Sequence, residues 1–516
     1  MEKAKIWNGF SNQGEKLIRK KFIEFLPIVF LSGMSTLLLL IVDGVVAGNL
    51  VGAEALAAVN MIAPITAVLS VLNDIASGSL SVSLSLAVGE NNKDKIMSVC
   101  KMGVVNTIAC SILMLLLGFP GFMIMIKAYG AGNALQSAAT SYSIGILVAL
   151  VVGCFSVLGT SYLISIGKMK VLLQLAIIEG VVNLVFDLLF MGPLKMGVAG
   201  AGYGTMVANI VRATLTIIYL AKNTKIFKYF KKGKASSYPK YLSNGLNTAM
   251  NALCKALSVY FINMIIIRTL ANEGMVVRSV TSFCVTVGSI VYMSITNSAS
   301  PLIGLFTGMK DNKASKKALK NAVFAVIIIL GILTAFVIIF PSVPFSINGV
   351  KEYPNYGHMA VIATVCGFVF QGFNMLVRSF LTYYQKKKTA VFLSILESVV
   401  FCLILSFAFS KIENTWIFIA LPVSALLTTI IGIFILMPIL NKKDDRDIVS
   451  IDLDNDTAKT ASVFVSDYYK DLNYSERLVY KLSVAVEEIV AYAKGKTDNS
   501  NIVFYLGVAA KITKLR

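Results

Sequence analysis

Runs of about 20 apolar residues recur along the first 440 positions of the chain, separated by short polar stretches. A helix of about 20 residues is long enough to cross the hydrocarbon core of a bilayer. The short alternating segments of a membrane β-barrel do not fit this pattern. The runs predict twelve membrane spans, at about 25–46, 58–80, 102–126, 136–158, 171–191, 200–221, 246–270, 276–302, 319–340, 358–381, 389–409 and 415–440. We therefore expect an all-α polytopic membrane protein.

The predicted spans fall into two similar halves, because three segments recur at an offset of about 220 residues. The recurring pairs are Gly89-Glu90-Asn91-Asn92-Lys93-Asp94-Lys95 with Gly308-Met309-Lys310-Asp311-Asn312-Lys313, Glu179-Gly180-Val181-Val182 with Glu397-Ser398-Val399-Val400, and Ile41-Val42-Asp43 with Phe261-Ile262-Asn263. Six spans per half is an even number, so both halves have the same orientation in the membrane. This predicts two pseudo-symmetric six-helix bundles around an axis along the membrane normal, a layout typical of alternating-access transporters.

The distribution of charged residues predicts which loops face the cytoplasm. The chain has 47 Lys and Arg against 27 Asp and Glu, a net charge of +20, yet only 14% of its residues are charged. Residues 441–516 carry equal numbers of both signs, so the excess belongs to the membrane part. There the basic residues concentrate in alternate loops, which indicates membrane topology rather than nucleic-acid binding. Because basic loops stay in the cytoplasm, we expect both termini there.

These patterns divide the chain into five parts. They are a cytoplasmic N-terminal segment at 1–24, an N-terminal six-helix bundle at 25–221, a basic cytoplasmic linker at 222–245, a C-terminal six-helix bundle at 246–440, and a cytoplasmic tail at 441–516.

Asn183 and Asp187 lie four residues apart in the apolar run of the fifth span, and therefore on one face of a helix. A carboxylate inside a membrane span is costly, so it normally faces a cavity or a partner and indicates a functional site. The second half of the chain has Phe401 and Leu405 at the matching positions. The polar pair is therefore not needed simply to build this helix.

Glu179, Glu397, Asp74 and Arg378 are further charged residues in predicted spans. Glu179 and Glu397 match each other in the two halves, which favours a structural role such as a helix cap or an ion pair with a loop lysine. Asp74 in the second span and Arg378 in the tenth each leave two interpretations open. One is a role in substrate binding or in the ion network, and the other is a purely structural contact.

The first half also contains four ordered motifs. They are Val42-Asp43-Gly44-Val45-Val46-Ala47-Gly48 followed by Gly52-Ala53-Glu54-Ala55-Leu56-Ala57-Ala58-Val59; the second span running into Gly89-Glu90-Asn91-Asn92; Gly167-Lys168-Met169-Lys170; and Asn183-x-x-x-Asp187 followed by Gly197-Val198-Ala199-Gly200-Ala201-Gly202-Tyr203-Gly204-Thr205. In order and spacing they resemble the multidrug and toxic compound extrusion (MATE) family, over about residues 20–440.

The resemblance implies a cation site in the N-terminal bundle, as in one branch of that family. The roles map onto Asp43, Asn183, Asp187 and Thr205. Such a group can exchange a proton, or a Na⁺ held by carboxylate and amide oxygens, for a conformational change. Another branch has an acidic ion site in the C-terminal bundle, which is not expected here because the chain has Asn263, Gln371, Asn374 and Arg378 instead.

The tail has a different pattern, which predicts a small α/β unit. Its elements are a strand at 448–453, helices at 458–472 and 475–494, and a strand at 502–508. The segment Val484-Ala485-Val486-Glu487-Glu488-Ile489-Val490-Ala491-Tyr492 resembles the first ATP-site helix of the histidine-kinase-like ATPase fold of anti-sigma-factor kinases. Tyr492 stands where that family has an Asn that helps to hold Mg²⁺. The tail is therefore interpreted as a truncated relic or docking module, and nucleotide binding stays open.

The resemblance implies a secondary active antiporter that exports amphipathic, often cationic drugs or metabolites in exchange for H⁺ or Na⁺. Two alternatives remain open, a flippase for a lipid or lipid-linked precursor of the same superfamily and a membrane sensor with a signalling tail. An enzyme is not expected, because the chain has a single His and no constellation of a nucleophile or metal ligands. We expect no cofactor, no metal beyond a Na⁺ at the ion site and no nucleic-acid partner. We expect a monomeric transport unit in the bacterial plasma membrane, acting on a small molecule, with a cytoplasmic partner of the tail left open.

Overall fold

The computed structural model describes most of the chain. The described residues are 16, 18–34, 53–128, 133–232, 238–309, 311–348, 350–441, 446–452, 457–471, 475–494 and 501–507. The chain folds into two compact units. One contains the membrane bundles, Phe22–Lys310 with Ala318–Leu440, and the other contains Met1–Lys21, Asp311–Lys317 and Asn441–Arg516.

The N-terminal half is a series of long helices. They are α1 (18–34), α2 (Ala53–Gly89), α3 (Lys93–Ala128), α4 (Asn133–Ser165), α5 (Met169–Met191), α6 (Val198–Asn223) and the short α7 (Ile226–Lys232). Asn92 begins α3 as an N-cap, since its Oδ1 accepts the backbone N–H of Lys95 at 3.0 Å. Asp311 has the equivalent role in the second half of the chain. Its Oδ1 accepts a hydrogen bond of 2.9 Å from the backbone N–H of Ala314.

The C-terminal half repeats this order with more interruptions. Its elements are α8 (Tyr238–Ala271), α9 (Glu273–Gly308), α10 (Asn312–Ile339), α11 (Val343–Ile347), α12 (Gly357–Cys366), α13 (Phe368–Tyr383), α14 (Lys387–Ile395), a π-turn (Leu396–Phe401), α15 (Cys402–Ile412), a 3₁₀ turn (Asn414–Ile419) and α16 (Ala420–Leu440). Only a kink at Ala271, with φ of 50°, separates α8 from α9.

Within the described ranges, eleven helices are long and apolar enough to span a membrane, and they correspond to the second through twelfth predicted spans. The prediction of an all-α polytopic membrane protein is confirmed. The first predicted span, 25–46, is described only as far as residue 34. Helices extend beyond the apolar runs; α3 begins at Lys93, nine residues before the predicted span, because the capped polar turn continues the helix.

The predicted linker at 222–245 is partly helical. It contains α7, and α8 already begins at Tyr238. The reason is that α7 has an apolar face. Ile226 is fully buried in a cluster with Leu220 and Tyr241, and Tyr229 and Phe230 pack against that cluster. Burial of this face stabilises a helix in a segment whose lysines alone predicted a loop.

The tail contains two strands and two helices. Strand β1 (Arg446–Asp452) pairs antiparallel with β2 (Asn501–Gly507), with Ile448 opposite Tyr505. Between them lie α17 (Thr457–Asp471) and α18 (Glu476–Lys494). The two helices contact each other, and each buries apolar residues, Val465 in α17 and Val490 in α18.

The two bundles meet along α2 of the first half and α8 and α9 of the second. One close approach is at Gly89 and Gly308, which we call the glycine crossing. A Cβ at either position would lie 2.9 Å from the Cα of the other. A Cβ on Gly89 would also overlap the carbonyl oxygen of Leu305, and a Cβ on Gly308 that of Leu86. Each half therefore presents the same atoms to the other, as a two-fold repeat requires.

Candidate functional site

The polar pair of the fifth span is buried in the N-terminal bundle. Asn183 is 1% exposed and Asp187 0% exposed, both on the same face of α5. The Asn183 Nδ2 donates a hydrogen bond of 2.7 Å to Asp187 Oδ2. The spacing of four residues on a helix thus forms the contact that the sequence predicts. A buried carboxylate oriented by an amide is a geometry suited to binding a proton or a small cation.

A small residue of α6 provides the space for this carboxylate. A Cβ on Gly204 would overlap Asp187 Oδ1, so only glycine lets the backbone of α6 approach the acid so closely. Thr205 follows directly in the sequence. Its hydroxyl donates to the carbonyl oxygen of Ala201 at 3.0 Å, while its own carbonyl accepts the Asn209 Nδ2 at 3.0 Å. The hydroxyl oxygen of Thr205 can still accept a hydrogen bond or bind a cation.

The structure brings two of the predicted positions into contact and places a third on the adjacent helix. Asn183 and Asp187 are in direct contact, and Thr205 follows the glycine that contacts Asp187. Asp43 lies outside the described residues, so its assignment stays a prediction. Carboxylate, amide and hydroxyl oxygens are the ligands that hard cations prefer. The donor set of α5 and α6 therefore fits Na⁺ as well as a proton.

Glu179 lies two turns nearer the start of α5 than Asp187 and has a different partner from the predicted one. Its carboxylate forms an ion pair with Arg212 of α6, and the Arg212 Nη2 donates to Thr160 Oγ1 of α4 at 3.3 Å. A helix cap or a loop lysine was expected. The sequence pattern missed Arg212, although a single arginine inside an apolar run is itself a signal of a buried partner.

Asp74 interacts electrostatically with Lys255. Asp74 belongs to α2 and Lys255 to α8, so this interaction connects the two halves of the membrane part. Next to Asp74, the Oδ1 of Asn73 accepts a hydrogen bond of 3.1 Å from the Cys154 thiol. Both open interpretations of Asp74 remain, with Lys255 now identified as a neighbouring cation.

The C-terminal bundle contains a cavity of about 110 Å³ that the sequence did not predict. Helices α8, α9, α12, α13 and α16, the π-turn, α15 and the 3₁₀ turn all contribute to its wall. The lining residues are Lys255, Ser258, Val259, Ile262, Arg278, Val285, Tyr292, Thr364, Gln371, Arg378, Glu397, Ser398, Cys402, Ile417, Phe418 and Leu421.

One ion pair in this cavity is almost completely buried. Arg378 pairs with Glu397, and their side chains are 4% and 9% exposed. Glu397 lies in the π-turn, where the α-helical hydrogen-bond pattern is interrupted. The hydroxyl of Ser258 donates to the backbone carbonyl of Ser398 in the same turn. Both a structural role and a substrate role for Arg378 were left open, and the structure shows its ion-pair partner.

The remaining cations of the cavity have neutral hydrogen-bond partners. Arg278 Nε donates to Asn263 Oδ1 at 3.0 Å. Lys255 Nζ donates to the Tyr292 hydroxyl at 3.1 Å and lies 5.3 Å from the centre of that ring. Arg278 lies inside α9, in the first turns after the kink at Ala271, as the predicted span 276–302 implies.

The π-turn also corrects the comparison of the two halves. The fixed offset placed Phe401 and Leu405 opposite Asn183 and Asp187. A π-turn contains one residue more than a regular helical turn, which rotates everything after it by about 100°. The residues that α15 actually buries are Cys402 and Ser406, one position later. The second half therefore keeps small polar side chains on this face but has no carboxylate there.

Comparison with known proteins gives results for the membrane part. Residues 27–189 match the MatE family. The chain is similar to the solved structure of a MATE protein in a straight conformation, with a TM-score of 0.75 and 18% identity over 83% of this chain and 99% of that one. It is also similar to an outward-facing multidrug resistance MATE family transporter of the MOP superfamily, with a TM-score of 0.75 and 17% identity over 82% and 97% of the two chains.

A third similar structure is a MOP superfamily transporter from Pyrococcus furiosus, for which a reversed polarity of the binding pocket suggests a different function. Its TM-score is 0.76 at 17% identity, over 83% of this chain and 99% of that one. No curated protein sequence matches the chain. None of these comparisons supports the resemblance of the tail to a histidine-kinase-like ATPase. The protein has the fold of these MATE structures, and residues 27–189 match the MatE family.

Proposed function

We propose that the protein is a secondary active antiporter that exports amphipathic small molecules by alternating access, coupled to H⁺ or Na⁺. The observation that carries the proposal is the buried pair of Asn183 and Asp187, enclosed against Gly204. An acid inside a membrane span is retained only at a cost, which favours a role in ion coupling. The fold and the MatE match support transport as the activity.

Coupling follows from where the acid lies. Asp187 sits between α5 and α6, and its oxygen fills the space that Gly204 leaves. A proton or a Na⁺ bound there changes the charge at the contact between two helices. An ion can shift a conformational equilibrium only if it binds one state more tightly than the other. We propose that this difference arises at the α5–α6 contact.

Alternating access needs two bodies that can separate at one end of the protein and close at the other. The glycine crossing is a close contact of this kind between the halves. We propose that it belongs to the closed end and that it separates when the opposite end closes. The basic loops support a cytoplasmic location for this end, with both termini on that side of a bacterial plasma membrane.

The experiment is gradient-driven efflux from proteoliposomes that are loaded with fluorescent amphipathic compounds, under an imposed pH or Na⁺ gradient. We expect Asp187→Asn to remove the dependence of efflux on the gradient, because the amide cannot take up a proton or balance a Na⁺. Asp94→Asn is the matched control, since Asp94 is exposed in the first turn of α3. Efflux by Asp187→Asn with full gradient dependence contradicts the coupling assignment. Asp43→Asn tests the residue that lies outside the described ranges.

A further inference from the structure

We propose that the cavity of the C-terminal bundle, which we call the cationic cavity, binds the anionic group of an amphipathic organic anion such as a carboxylate or a phosphate ester. The use of this site by a transported substrate rests on the proposed function. The site itself rests on the charge, the hydrogen bonds and the size of the cavity. It extends the expected range of substrates, which the sequence described as often cationic.

The charge balance of the lining is positive. Of its four ionised side chains, Arg378 and Glu397 neutralise each other in a buried pair. Lys255 and Arg278 remain. Asp74 interacts with Lys255 electrostatically but does not line the cavity. Among the described residues, Arg278 has no carboxylate partner. A cation within a membrane bundle normally has an anionic partner, so an anion from outside the chain completes the site.

The unused donors point to the type of anion. Arg278 donates its Nε to Asn263, which leaves the two terminal nitrogens of the guanidinium. This fork matches the paired oxygens of a carboxylate or a phosphate. Lys255 uses one of its three N–H groups for the hydrogen bond to Tyr292. Gln371 is 7% exposed, and its Nε2 has no hydrogen-bond partner within the described part of the chain. A buried donor of this kind requires an explanation, and a bound anion is one.

The rest of the wall is apolar, and it restricts the ligand. Val259, Ile262, Val285, Phe418 and Leu421 line the cavity together with the cations. The cavity of about 110 Å³ has room for an anionic group and a short apolar stem. The apolar wall favours an organic anion over an inorganic one, because methylene groups gain free energy on burial there.

The chain contains its own reporter for a binding experiment. Trp416 directly precedes Ile417 and Phe418 of the cavity wall, and the only other tryptophan is Trp7. With Trp7→Phe in the full-length protein, the emission of Trp416 can be followed in nanodiscs of a zwitterionic lipid. The probes are a short ω-bromoalkanoate, whose bromine quenches tryptophan, and the bromoalkylammonium and bromoalkanol of equal length.

We expect saturable quenching by the bromoalkanoate and at least tenfold weaker binding of the other two probes. Arg278→Gln should raise the Kd of the bromoalkanoate by about 10–100-fold, as expected for the loss of a charged hydrogen-bond partner. Gln371→Leu, which keeps all charges, should raise it by about 3–10-fold. Arg268→Gln is the matched control, because Arg268 is exposed on α8 and does not line the cavity, and it should leave the Kd unchanged.

Equal quenching by all three probes, or an unchanged Kd in both Arg278→Gln and Gln371→Leu, overturns the proposal. Displacement of the probe by phosphatidylglycerol in the nanodisc supports a lipid headgroup as the natural anion, and retention of the probe supports a free anion. Efflux of the bromoalkanoate from proteoliposomes separates this proposal from the transport function. Binding without efflux contradicts transport of this class and leaves the site, whereas efflux that is insensitive to Arg278→Gln contradicts the site.

Discussion

The two bundles share a backbone plan but place opposite charges in their interiors. The N-terminal bundle buries Asp187 with Asn183. The C-terminal bundle surrounds a cavity with Lys255 and Arg278, while its one lining acid is neutralised by Arg378. The comparison teaches that the repeat fixes where helices lie but not what they bind. Under the two proposals above, the N-terminal half would bind a cation and the C-terminal half an anion.

The helix that carries each site explains part of this difference. Helix α5 is regular from Met169 to Met191. Its counterpart is interrupted by the π-turn of Leu396–Phe401, and such turns are frequent at functional sites. The turn presents Glu397 and Ser398 to the cavity and changes which residues after it are buried. The extra residue thus shifts by one position which side chains of this helix are buried.

The largest expected effect concerns the ion pair of the C-terminal half. Arg378→Met should lower the free energy of unfolding by about 3–5 kcal/mol, because Glu397 would remain buried without its partner. Thermal unfolding in detergent micelles measures the change. The double variant Arg378→Met/Glu397→Met should recover most of the loss. A double variant as unstable as the single one would show that the pair is not the source of the effect.

The ion pair of the N-terminal half should matter less. Arg212 and Glu179 have side chains that are 17% and 15% exposed, so Glu179 can gain water when Arg212 is removed. We expect Arg212→Met to lower the free energy of unfolding by about 1.5–3 kcal/mol, the range for a hydrogen bond to a charged group. The same unfolding measurement compares the two halves directly. A larger loss for Arg212→Met than for Arg378→Met would reverse the ranking of the two pairs.

The glycine crossing provides a third test. Gly308→Val should cost about 1–3 kcal/mol by overpacking and should block gradient-driven efflux, because the added side chain meets the backbone of Leu86 and Gly89. Gly331→Val is the control, since a Cβ at that position has no atom within 4 Å. Efflux from proteoliposomes reports whether the two halves still open and close, and thermal unfolding reports the loss of stability. Measuring both distinguishes the two effects of Gly308→Val. Normal efflux by Gly308→Val would mean that the halves do not need this contact.

The smallest expected effect is at Thr205. Its hydroxyl donates only to Ala201 of its own helix, so Thr205→Val should cost about 0.5–1.5 kcal/mol of unfolding free energy. If Thr205 also contributes an oxygen to the ion site, Thr205→Val should in addition increase the gradient needed for half-maximal efflux. Thr205→Ser keeps the hydroxyl and is the control. Identical ion dependence in all three proteins would remove Thr205 from the site.

The sequence predicted the features that depend on local periodicity. Apolar runs predicted the spans that are described, and spacing on a helix predicted the contact of Asn183 with Asp187. It did not predict the cationic cavity, because Lys255 and Gln371 come from helices far apart in the chain. The sequence did not predict the π-turn either. The turn changes the offset between matching residues of the two halves by only one residue. The sequence also contains no signal of how short the break between α8 and α9 is, because a kink at the single residue Ala271 needs no polar loop.

The glycine crossing has a consequence for how the protein responds to its surroundings. Gly89 and Gly308 contribute neither charge nor a titratable group, and their contact consists of backbone against backbone. Ionic strength and pH therefore act little on the strength of this contact. If the two halves open and close at the glycine crossing, this contact should have the same strength at low and high salt concentration and at low and high pH. Any dependence on external ions must then arise at charged residues elsewhere, so under our proposal the ion site and the glycine crossing could change independently during evolution.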